Sequence, residues 1–276
     1  MRVIETVSSM REALKYCGRS IGFVPTMGYL HEGHLSLVRA AREENISLVT
    51  SIFVNPAQFG PNEDYATYPR DIESDLSKLE QKGVDLVFAP SVEEMYPDGL
   101  DTQITVGSIG TRLEGLSRPG HFNGVATIVC KFISILSPDN IYFGQKDYQQ
   151  TRIVSKVVED LNLAARVVVL PTVREANGLA FSSRNTAMTL EERKASGLIY
   201  QILCDVKSLK AEGTYEVSKI RKHIISLVDQ EPMAKLDYAS IVDSISLDEL
   251  DEIKDGSMIL IAVWIGNVRL IDNAYL

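Results

Sequence analysis

Cysteine is scarce in this sequence, and its few copies are widely spaced. The chain of 276 residues has three cysteines and no C-x-x-C pair. An odd, scattered set argues against a disulfide framework and is typical of a reducing cytoplasm. Cys130 and Cys204 stand within apolar runs, so we expect both to be small core residues. None of the three has a histidine beside it, which argues against a cysteine nucleophile.

The sequence also lacks a long hydrophobic run. Its longest apolar stretch, Met258–Ile265, is far shorter than the roughly 20 residues that cross a bilayer. The amino-terminal segment MRVIETVSS has no apolar core of the kind that a secretory signal carries. We therefore expect a cytoplasmic protein without a membrane partner.

Basic residues are outnumbered by acidic ones. Lys and Arg total 28, Asp and Glu total 37, and the formal net charge is −9. This balance argues against nucleic acid as a partner, although a local basic pocket could still receive a small anion. Apolar residues make up 45% of the chain, which suffices for a packed core and excludes a disordered protein. The length predicts one large domain or two ordinary ones.

Short apolar runs alternate with helical patterns as far as about residue 172. The predicted strands are residues 21–24, 48–54, 84–89, 141–143 and 166–170. The predicted helices are residues 34–44, 70–81, 124–136 and 148–161, the third of them apolar on most sides. Strands that alternate with helices of this length predict βαβ units and a parallel sheet. Such open sheets bind ligands beyond the carboxyl ends of their strands.

The pattern changes in the last third of the chain. A polar loop leads into two predicted helices, residues 190–212 and 215–229. Three predicted strands follow, residues 236–242, 258–264 and 268–271. Helices followed by adjacent strands favour a small α+β domain. We therefore predict two domains, residues 1–172 and residues 173–276.

The densest motif is PTMGYLHEGHLSLV, Pro25–Val38, which lies between a predicted strand and a predicted helix. Gly28 permits a sharp turn, and Gly33 leaves room for a ligand near the helix start. His31 and His34 then stand at the helix amino terminus, where free N–H groups and the helix dipole favour an anion. Two imidazoles there could donate hydrogen bonds to phosphate oxygens. A turn with two solvated histidines is the plainer alternative.

A metal site is a further hypothesis for the same motif. Zinc proteases use H-E-x-x-H, which places both histidines on one helix face, whereas His31 and His34 are three residues apart with a glycine between them. His121 could supply a third ligand, so a His₃ metal hydrolase stays open. Chelator-sensitive hydrolysis that needs no ATP would identify it.

Three further polar clusters follow predicted strands or join the predicted domains. VNPAQF places the neutral amides Asn55 and Gln58 after a strand, where they could bind a hydroxyl or a carboxylate. FGQKDYQQ places Lys146 at a helix start, where a structural role explains a lysine poorly and phosphate binding explains it well. FSSRN, residues 181–185, offers two hydroxyls and a guanidinium that suit a triphosphate. A plain turn and an ordinary linker are the alternatives for the first and the last cluster.

These motifs together resemble a known family. His31-Glu32-Gly33-His34 is similar to the HIGH-type signature of the nucleotidylyl-transferase superfamily, whose members act through the α-phosphate of a nucleotide. Six motifs in order resemble pantothenate synthetase (pantoate–β-alanine ligase): PTMGYLHEGH, VNPAQFG, YPRD, RPGHFNGV, FGQKDYQQ and LAFSSRN. The ending Arg269–Asn273 also looks like the last strand of that family.

The resemblance implies an α/β fold with two parts. One is a Rossmann-like parallel sheet with helices on both faces that binds ATP, and the other is a smaller α+β carboxyl-terminal lid domain. It also implies a homodimer and a two-step, Mg²⁺-dependent reaction. The carboxylate of pantoate attacks ATP to form a pantoyl adenylate and pyrophosphate. The amine of β-alanine then displaces AMP, and pantothenate is formed.

The resemblance also implies which residues catalyse the reaction and bind ATP. His34 is expected to be the proton donor, and His31 and Lys146 are expected to stabilise the phosphates. The other ATP-binding residues are expected to be Met27, Gly28, Tyr29, Leu30, Glu32, Gly33, Gly144, Gln145, Asp147, Val173, Phe181, Ser182, Ser183 and Arg184. Gln145 stands where the family commonly has Glu, and Phe181 where it commonly has Met.

The remaining expected site residues bind substrates or metal. Gln58 would contact both pantoate and β-alanine, Gln150 would contact pantoate, and Asn55 is a third expected substrate-binding residue. Asp75 matches one member of an acidic group thought to help place Mg²⁺. Ser74 stands where some relatives carry Asp.

Two rival functions differ in their chemistry. A nucleotidylyl transferase that acts on a phosphorylated cofactor precursor would keep the H-x-G-H turn, but it would not need VNPAQF or the Gln149–Gln150 pair. A non-catalytic nucleotide sensor would bind ATP and never release pyrophosphate.

Overall fold

The structure, a computed structural model, describes residues 1–18, 20–61 and 63–276. The chain divides into two units. The first contains residues 1–145 and 149–171, and the second contains residues 146–148 and 172–276. No helix in the described ranges combines the length and the apolar character needed to cross a membrane.

The described strands of the first unit form one parallel sheet. They are β1 (Arg2–Ile4), β2 (Ile21–Thr26), β3 (Ser47–Ile52), β4 (Leu86–Phe88), β5 (Asn140–Gly144) and β6 (Arg166–Leu170). Their order across the sheet is β1-β4-β3-β2-β5-β6, and every neighbouring pair is parallel. The predicted parallel sheet is therefore confirmed. Because β2 pairs in parallel with both β3 and β5, the carboxyl ends of these three strands lie at the same edge of the sheet.

Helices cover both faces of this sheet. They are α1 (Val7–Leu14), α2 (Glu32–Glu44), α3 (Ile72–Gln81), α4 (Val92–Met95), α5 (Glu114–Ser117), α6 (His121–Leu136) and α7 (Tyr148–Asp160). On β2, Phe23 packs edge-on against Phe132 of α6, with the ring centroids 5.3 Å apart. The next residue, Val24, belongs to a separate cluster with Val38 of α2 and Leu79 of α3. Adjacent strand residues point to opposite faces, so each face has its own core.

The second unit joins three further helices to an antiparallel sheet. The helices are α8 (Leu190–Ala195), α9 (Gly197–Ala211) and α10 (Val217–Asp229), and the strands are β7 (Ala234–Asp243), β8 (Ser257–Ile265) and β9 (Val268–Tyr275). In the described residues, β8 is the central strand of the three. Ile202 of α9 and Ile224 of α10 share one buried cluster with Ile261 of β8. The predicted α+β character of this part of the chain is confirmed.

Local interactions explain where the predicted elements differ from the structure. The predicted helix 190–212 is interrupted at Ser196, whose hydroxyl donates to the Arg193 carbonyl at 2.7 Å and competes with the helical hydrogen-bond ladder. Strand β1 was not predicted because Ile4 alone of its three residues is buried, which leaves too short a pattern to detect.

The expectation of a core position is wrong for Cys204, whereas Cys130 packs against a buried cluster. Cys204 is exposed, because it lies one residue beyond Leu203 on α9 and so falls outside the buried stripe of that helix. Cys130 is half-buried. Burial raises the pKa of the Cys130 thiol to about 11, so the thiol keeps its proton at neutral pH and is a poor nucleophile.

The close approach of α6 to the segment after β3 requires glycine at position 124. A Cβ there would lie 2.1 Å from the Ala57 carbonyl oxygen and 2.6 Å from the Gln58 nitrogen. Both are backbone atoms, so neither can rotate away.

We expect Gly124→Ala to lower the free energy of unfolding by about 1–3 kcal/mol or more, although alanine ordinarily favours a helix over glycine. Urea denaturation followed by circular dichroism measures this loss. Gly107→Ala is the matched control, since a Cβ at Gly107 meets nothing within 4 Å. Equal stability of the two variants would contradict the packing argument.

Candidate active site

The candidate residues of the first unit follow the carboxyl ends of neighbouring strands. Residues 27–34 follow β2, and Asn55 and Gln58 follow β3. Gly144 is the last residue of β5. Since β2 pairs with β3 and β5, the sheet brings these segments to one edge, where open parallel sheets bind ligands.

A tight turn connects β2 to α2. Gly28 has φ +82° and Tyr29 has φ +52°, so two successive residues adopt left-handed backbone conformations. The Thr26 hydroxyl accepts the Gly28 N–H at 3.1 Å and donates to the Ser51 carbonyl at 2.6 Å. The turn is thereby tied to the neighbouring strand β3.

His31 and His34 stand together at the start of α2. His31 is the N-cap residue, and its N–H donates to Nδ1 of His34 at 3.4 Å. The two imidazole rings stack, with centroids 4.0 Å apart and planes 26° from parallel. Glu32 between them pairs with Arg39 at 2.6 Å on the exposed side of the helix. The first turn of α2 therefore presents two imidazoles and the positive end of a helix dipole, a combination suited to an anion.

The structure places the Asp75 carboxylate against the turn. Its Oδ2 accepts the Tyr29 N–H at 2.6 Å, and its Oδ1 accepts the Leu30 N–H at 2.7 Å. Burial raises the pKa of the Asp75 carboxyl above its usual value, and the two N–H donors and nearby Lys78 oppose that rise. Among the described residues, no group of three or more His, Cys, Asp or Glu side chains could hold a metal ion.

A small cavity adjoins the turn. It measures about 250 Å³, and Gly28 and Asp75 lie on its wall together with Arg70 and Asp71. The Arg70 guanidinium donates to the Tyr68 carbonyl at 2.8 Å, so its main local role is to hold its own loop.

The two amides after β3 form a buried network. The Asn55 Nδ2 donates to the Gln58 Oε1 at 3.1 Å and to the Gly124 carbonyl at 3.2 Å. Its Oδ1 accepts the Tyr96 hydroxyl at 2.7 Å and the Ala57 N–H at 3.3 Å. These four bonds use the full capacity of an asparagine amide. Asn55 therefore orients Gln58, whose Nε2 donates to the sulfur of Met27 at 3.2 Å.

The sequence offered His121 of the motif RPGHFNGV only as a third metal ligand, whereas the structure places this residue against Gln58. His121 Nδ1 lies 2.7 Å from the Gln58 carbonyl oxygen, and His121 Nε2 lies 3.1 Å from an Arg118 nitrogen. A carbonyl can only accept and a guanidinium can only donate, so the proton is on Nδ1 and the ring is neutral. Burial, helped by the Arg118 charge, lowers the pKa of His121 to about 4.

Arg118 is held in turn by an ion pair. Its guanidinium donates to both carboxylate oxygens of Glu63, at 2.6 and 2.9 Å. Glu63, Arg118 and His121 thus form a chain of contacts that ends at Gln58. The density of polar residues in RPGHF was the sequence signal for these contacts, but nothing in the sequence identified Gln58 or Glu63 as their partners.

The two glutamines at the start of α7 have different environments. Gln149 is buried, and its amide binds the N–H of Glu114 and the carbonyls of Ile109 and Arg112 at 2.8–3.1 Å. Gln150 is half-buried. Gln149 therefore holds the segment before α6, and Gln150 stays the substrate-binding candidate of the pair.

Lys146 belongs to the second unit, where nearby contacts hold its segment. The Asn273 amide of the last strand donates to the Lys146 carbonyl at 2.9 Å, and the Lys146 ammonium lies 3.3 Å from the Asp147 carboxylate. The Tyr148 hydroxyl donates to the Ser244 carbonyl at 2.8 Å. Neither Asn273 nor Tyr148 was assigned this supporting contact from sequence.

The polar loop of the second unit is also anchored to the last strand. Both terminal nitrogens of Arg174 bind the buried carboxylate of Asp272, at 2.5 and 3.0 Å. The Phe181 N–H donates to the Val173 carbonyl at 3.1 Å. Ser182 caps a short 3₁₀ turn by accepting the Arg184 N–H at 3.3 Å. The loop is therefore an ordered structure and not a plain linker.

Comparisons with known proteins agree with one another. The family model described as pantoate-β-alanine ligase matches residues 2–275. The pantothenate synthetase of Acetivibrio thermocellus is 51% identical over 276 residues, covering 99% of this chain and 98% of that protein. The pantothenate synthetase structure from Thermus thermophilus has a TM-score of 0.95 at 44% identity, covering 100% of this chain and 99% of that one. A pantoate-β-alanine ligase structure from Francisella tularensis, complexed with β-γ ATP and β-alanine, has a TM-score of 0.82 at 37% identity and covers 100% and 97%.

The lowered pKa of His121 predicts a pH-dependent stability. Between about pH 6.5 and pH 4 the unfolded chain binds a proton that the folded chain does not, so stability falls as the pH falls. We expect His121 to lower the free energy of unfolding by about 2 kcal/mol when the pH falls from 7 to 5. Urea denaturation at both values measures it.

The variant His121→Asn should lose that part of the pH dependence, whatever its stability at pH 7. His223→Asn is the control for replacing a histidine elsewhere, because His223 lies on α10 in the second unit. The assignment fails if His121→Asn and the unaltered protein lose the same free energy between the two pH values.

Proposed function

Because the chain belongs to the pantoate–β-alanine ligase family, we propose that the polar groups beyond β2 and β3 form its reaction centre. The reaction is the ATP-dependent joining of pantoate and β-alanine to give pantothenate, AMP and pyrophosphate. The proposal is based on the pair of stacked imidazoles at the start of α2, which follows the carboxyl end of β2.

The two-step course of the reaction follows from the chemistry of a carboxylate. As an anion with a poor leaving group, the pantoate carboxylate resists attack by an amine. It therefore attacks the α-phosphate of ATP first, and pyrophosphate departs. The amine of β-alanine then attacks the acyl carbon of the adenylate, and AMP departs with the bonding electron pair.

We assign the phosphate end of the reaction to α2. Negative charge grows on the phosphates as pyrophosphate leaves, and fixed donors facing that charge are worth several kcal/mol. His34 is the proposed proton donor, and His31 and the N–H groups of the first turn are the proposed partners of the phosphate oxygens. The positive end of the α2 dipole acts in the same direction.

We assign the substrate end to the amides of Gln58 and Gln150. Gln58 is held by Asn55 from one side, and its backbone is held by His121 from the other. An amide fixed in this way can bind the hydroxyl or carboxylate of a substrate without adding charge, and fixed orientation is what lowers the barrier for reactions between bound molecules. The Francisella tularensis protein, complexed with β-γ ATP and β-alanine, supports this choice of substrates.

Several assignments from the resemblance stay predictions. They concern the ATP-binding roles of Gly144, Gln145, Lys146, Asp147, Val173, Phe181, Ser182, Ser183 and Arg184, together with the lid, the homodimer and the cytoplasmic location. We retain Lys146 as a proposed phosphate ligand, because its ammonium is a compact positive charge.

Magnesium is proposed to enter with ATP. The described side chains do not fit a protein-held Mg²⁺ site, since they form no cluster of three candidate ligands and the Asp75 carboxylate accepts two backbone N–H groups. Mg²⁺ commonly keeps several waters and binds substrate phosphates. When bound, it would neutralise phosphate charge.

The rival His₃ metal hydrolase is disfavoured by the position of His121. Both of its ring nitrogens lie within hydrogen-bond distance of Gln58 and Arg118, and no metal-binding cluster occurs among the described residues. A nucleotide sensor differs from a ligase in releasing no pyrophosphate, so the release assay distinguishes them.

Pyrophosphate release is the direct test of the proposed reaction. With purified protein and ATP, release should require pantoate and should stop after about one equivalent per site if the adenylate is retained. Addition of β-alanine should then restore continuous turnover and yield AMP. Release without pantoate, or none with both substrates, would contradict the adenylation step.

The proposed role of His34 predicts a large loss of activity on substitution. We expect His34→Ala to lower the turnover number by about 10²–10⁴-fold, the range for a lost general acid, with the melting temperature nearly unchanged. His223→Ala is the control, because His223 lies on α10 in the second unit. A His34→Ala protein with near-normal turnover would remove His34 from the mechanism.

A further inference from the structure

The turn that carries the two histidines is not self-supporting. Tyr29 has φ +52°, a conformation that costs a non-glycine residue of order 1 kcal/mol or more. Such a conformation persists where surrounding groups hold it. The backbone N–H groups of Tyr29 and Leu30 come after the end of β2, so they need an acceptor outside the ladder of that strand.

Asp75 in the first turn of α3 provides that acceptor. Each of its carboxylate oxygens binds one of the two N–H groups, at 2.6 and 2.7 Å, and the side chain is 1% exposed. Bonds to an ionised acceptor are stronger than neutral ones. The fit is tight, because a Cβ on Gly28 would lie 3.0 Å from the Asp75 Oδ2.

Lys78 holds the same turn from the same helix. Its ammonium donates to the Leu30 carbonyl at 2.8 Å. Lys78 lies three residues after Asp75, so the two side chains share one face of α3. The helix therefore binds both the N–H and the carbonyl of Leu30, directly before His31.

We propose that Asp75 and Lys78 are positioning residues for the ligase reaction, which hold the Tyr29–Leu30 turn and thereby place His31 and His34. The chain from Leu30 to His31 is a single peptide link, and His31 both caps α2 and stacks on His34. A displacement of the turn moves both imidazoles together. Misplacement of a reacting group by about 1 Å can cost on the order of 10²-fold in rate.

Asp75→Asn tests the proposal with little change of shape. An asparagine can accept one of the two N–H groups, but its own NH₂ group faces the other. We expect pyrophosphate release at saturating ATP and pantoate to slow by about 10–100-fold, with KM values changed less than the turnover number. Glu73→Gln is the matched control, an exposed carboxylate on the same helix that should leave the rate unchanged.

Lys78 supplies a second, independent pair of variants. Lys78→Met removes the donor and keeps most of the side chain, and we expect it to slow the same step. Lys78→Arg retains a donor and should restore a large part of the rate. Lys78 is only half-buried, so we expect its variants to fold. They therefore test the positioning role even if Asp75→Asn does not fold. Equal rates for the methionine and arginine variants would overturn the positioning role of Lys78.

A double-mutant cycle separates positioning from general damage. If Asp75 acts through the histidines, Asp75→Asn should cost less in a protein that already carries His34→Ala, where only His31 is left to be displaced. An undiminished cost in that background would overturn the proposal. This inference rests on the proposed role of His34, and the experiments separate the two. Normal turnover of His34→Ala would defeat the role of His34. Slow turnover of His34→Ala together with normal turnover of Asp75→Asn and Lys78→Met would defeat only the positioning role.

A magnesium titration distinguishes the proposal from a metal-ligand role for Asp75. Positioning predicts that Asp75→Asn keeps the half-saturating Mg²⁺ concentration of the unaltered protein. A several-fold increase, confined to Asp75→Asn and absent in Lys78→Met, would assign Asp75 to the metal and overturn the proposal. Binding of Mg²⁺ and ATP followed by calorimetry gives this readout without turnover.

Discussion

The parallel pairing of β2 between β3 and β5 is the constraint on which the candidate site depends. The ladder to β3 runs the whole length of β2, and Gly22 and Phe23 of β2 pair with β5, so the segments that leave the carboxyl ends of these strands begin at defined positions. Thr26, at the end of β2, extends this order into the turn by bonding both to Ser51 and to Gly28. The sheet therefore determines where the two histidines lie, and the turn determines their local arrangement. Covering helices on both faces leave the strand ends as the place where polar groups can meet a ligand.

The charge of the chain is compatible with an anionic substrate because the acidic groups nearest the turn are engaged. The net charge is −9, yet Asp75 points both oxygens at backbone N–H groups and Glu32 pairs with Arg39. The positive contribution comes from a helix terminus and from imidazoles, neither of which requires an overall basic protein. Net charge is a guide to long-range attraction, whereas a phosphate at close range responds to the few donors that face it.

The sequence predicted the architecture well and the supporting contacts poorly. Hydrophobic periodicity located the main strands and the buried helix α6, because apolar spacing is a local property of the chain. Cys204 was misplaced by the same reasoning, since one step along α9 turns a residue about 100° away from the core. The roles of Asn55 and Gln149 as internal amides could not be predicted, because the residue type does not show whether an amide binds a substrate or other groups of the protein. Asp75 is similar: the carboxylate was visible in the sequence, but its partners are N–H groups some 45 residues earlier in the chain.

Contacts to the strand β9 hold two segments of the second unit, and this affects the order in which the protein folds during synthesis. Arg174 and the backbone of Lys146 find their partners in Asp272 and Asn273, which lie 98 and 127 residues later in the chain. The described strands of the parallel sheet end at Leu170, so this sheet can begin to form while the rest of the chain is still emerging. The polar loop and the segment around Lys146 cannot acquire these contacts until residues 272 and 273 have been synthesised. Synthesis that stops before residue 272 would thus leave a chain that contains all the described strands of the parallel sheet but lacks these two anchoring residues.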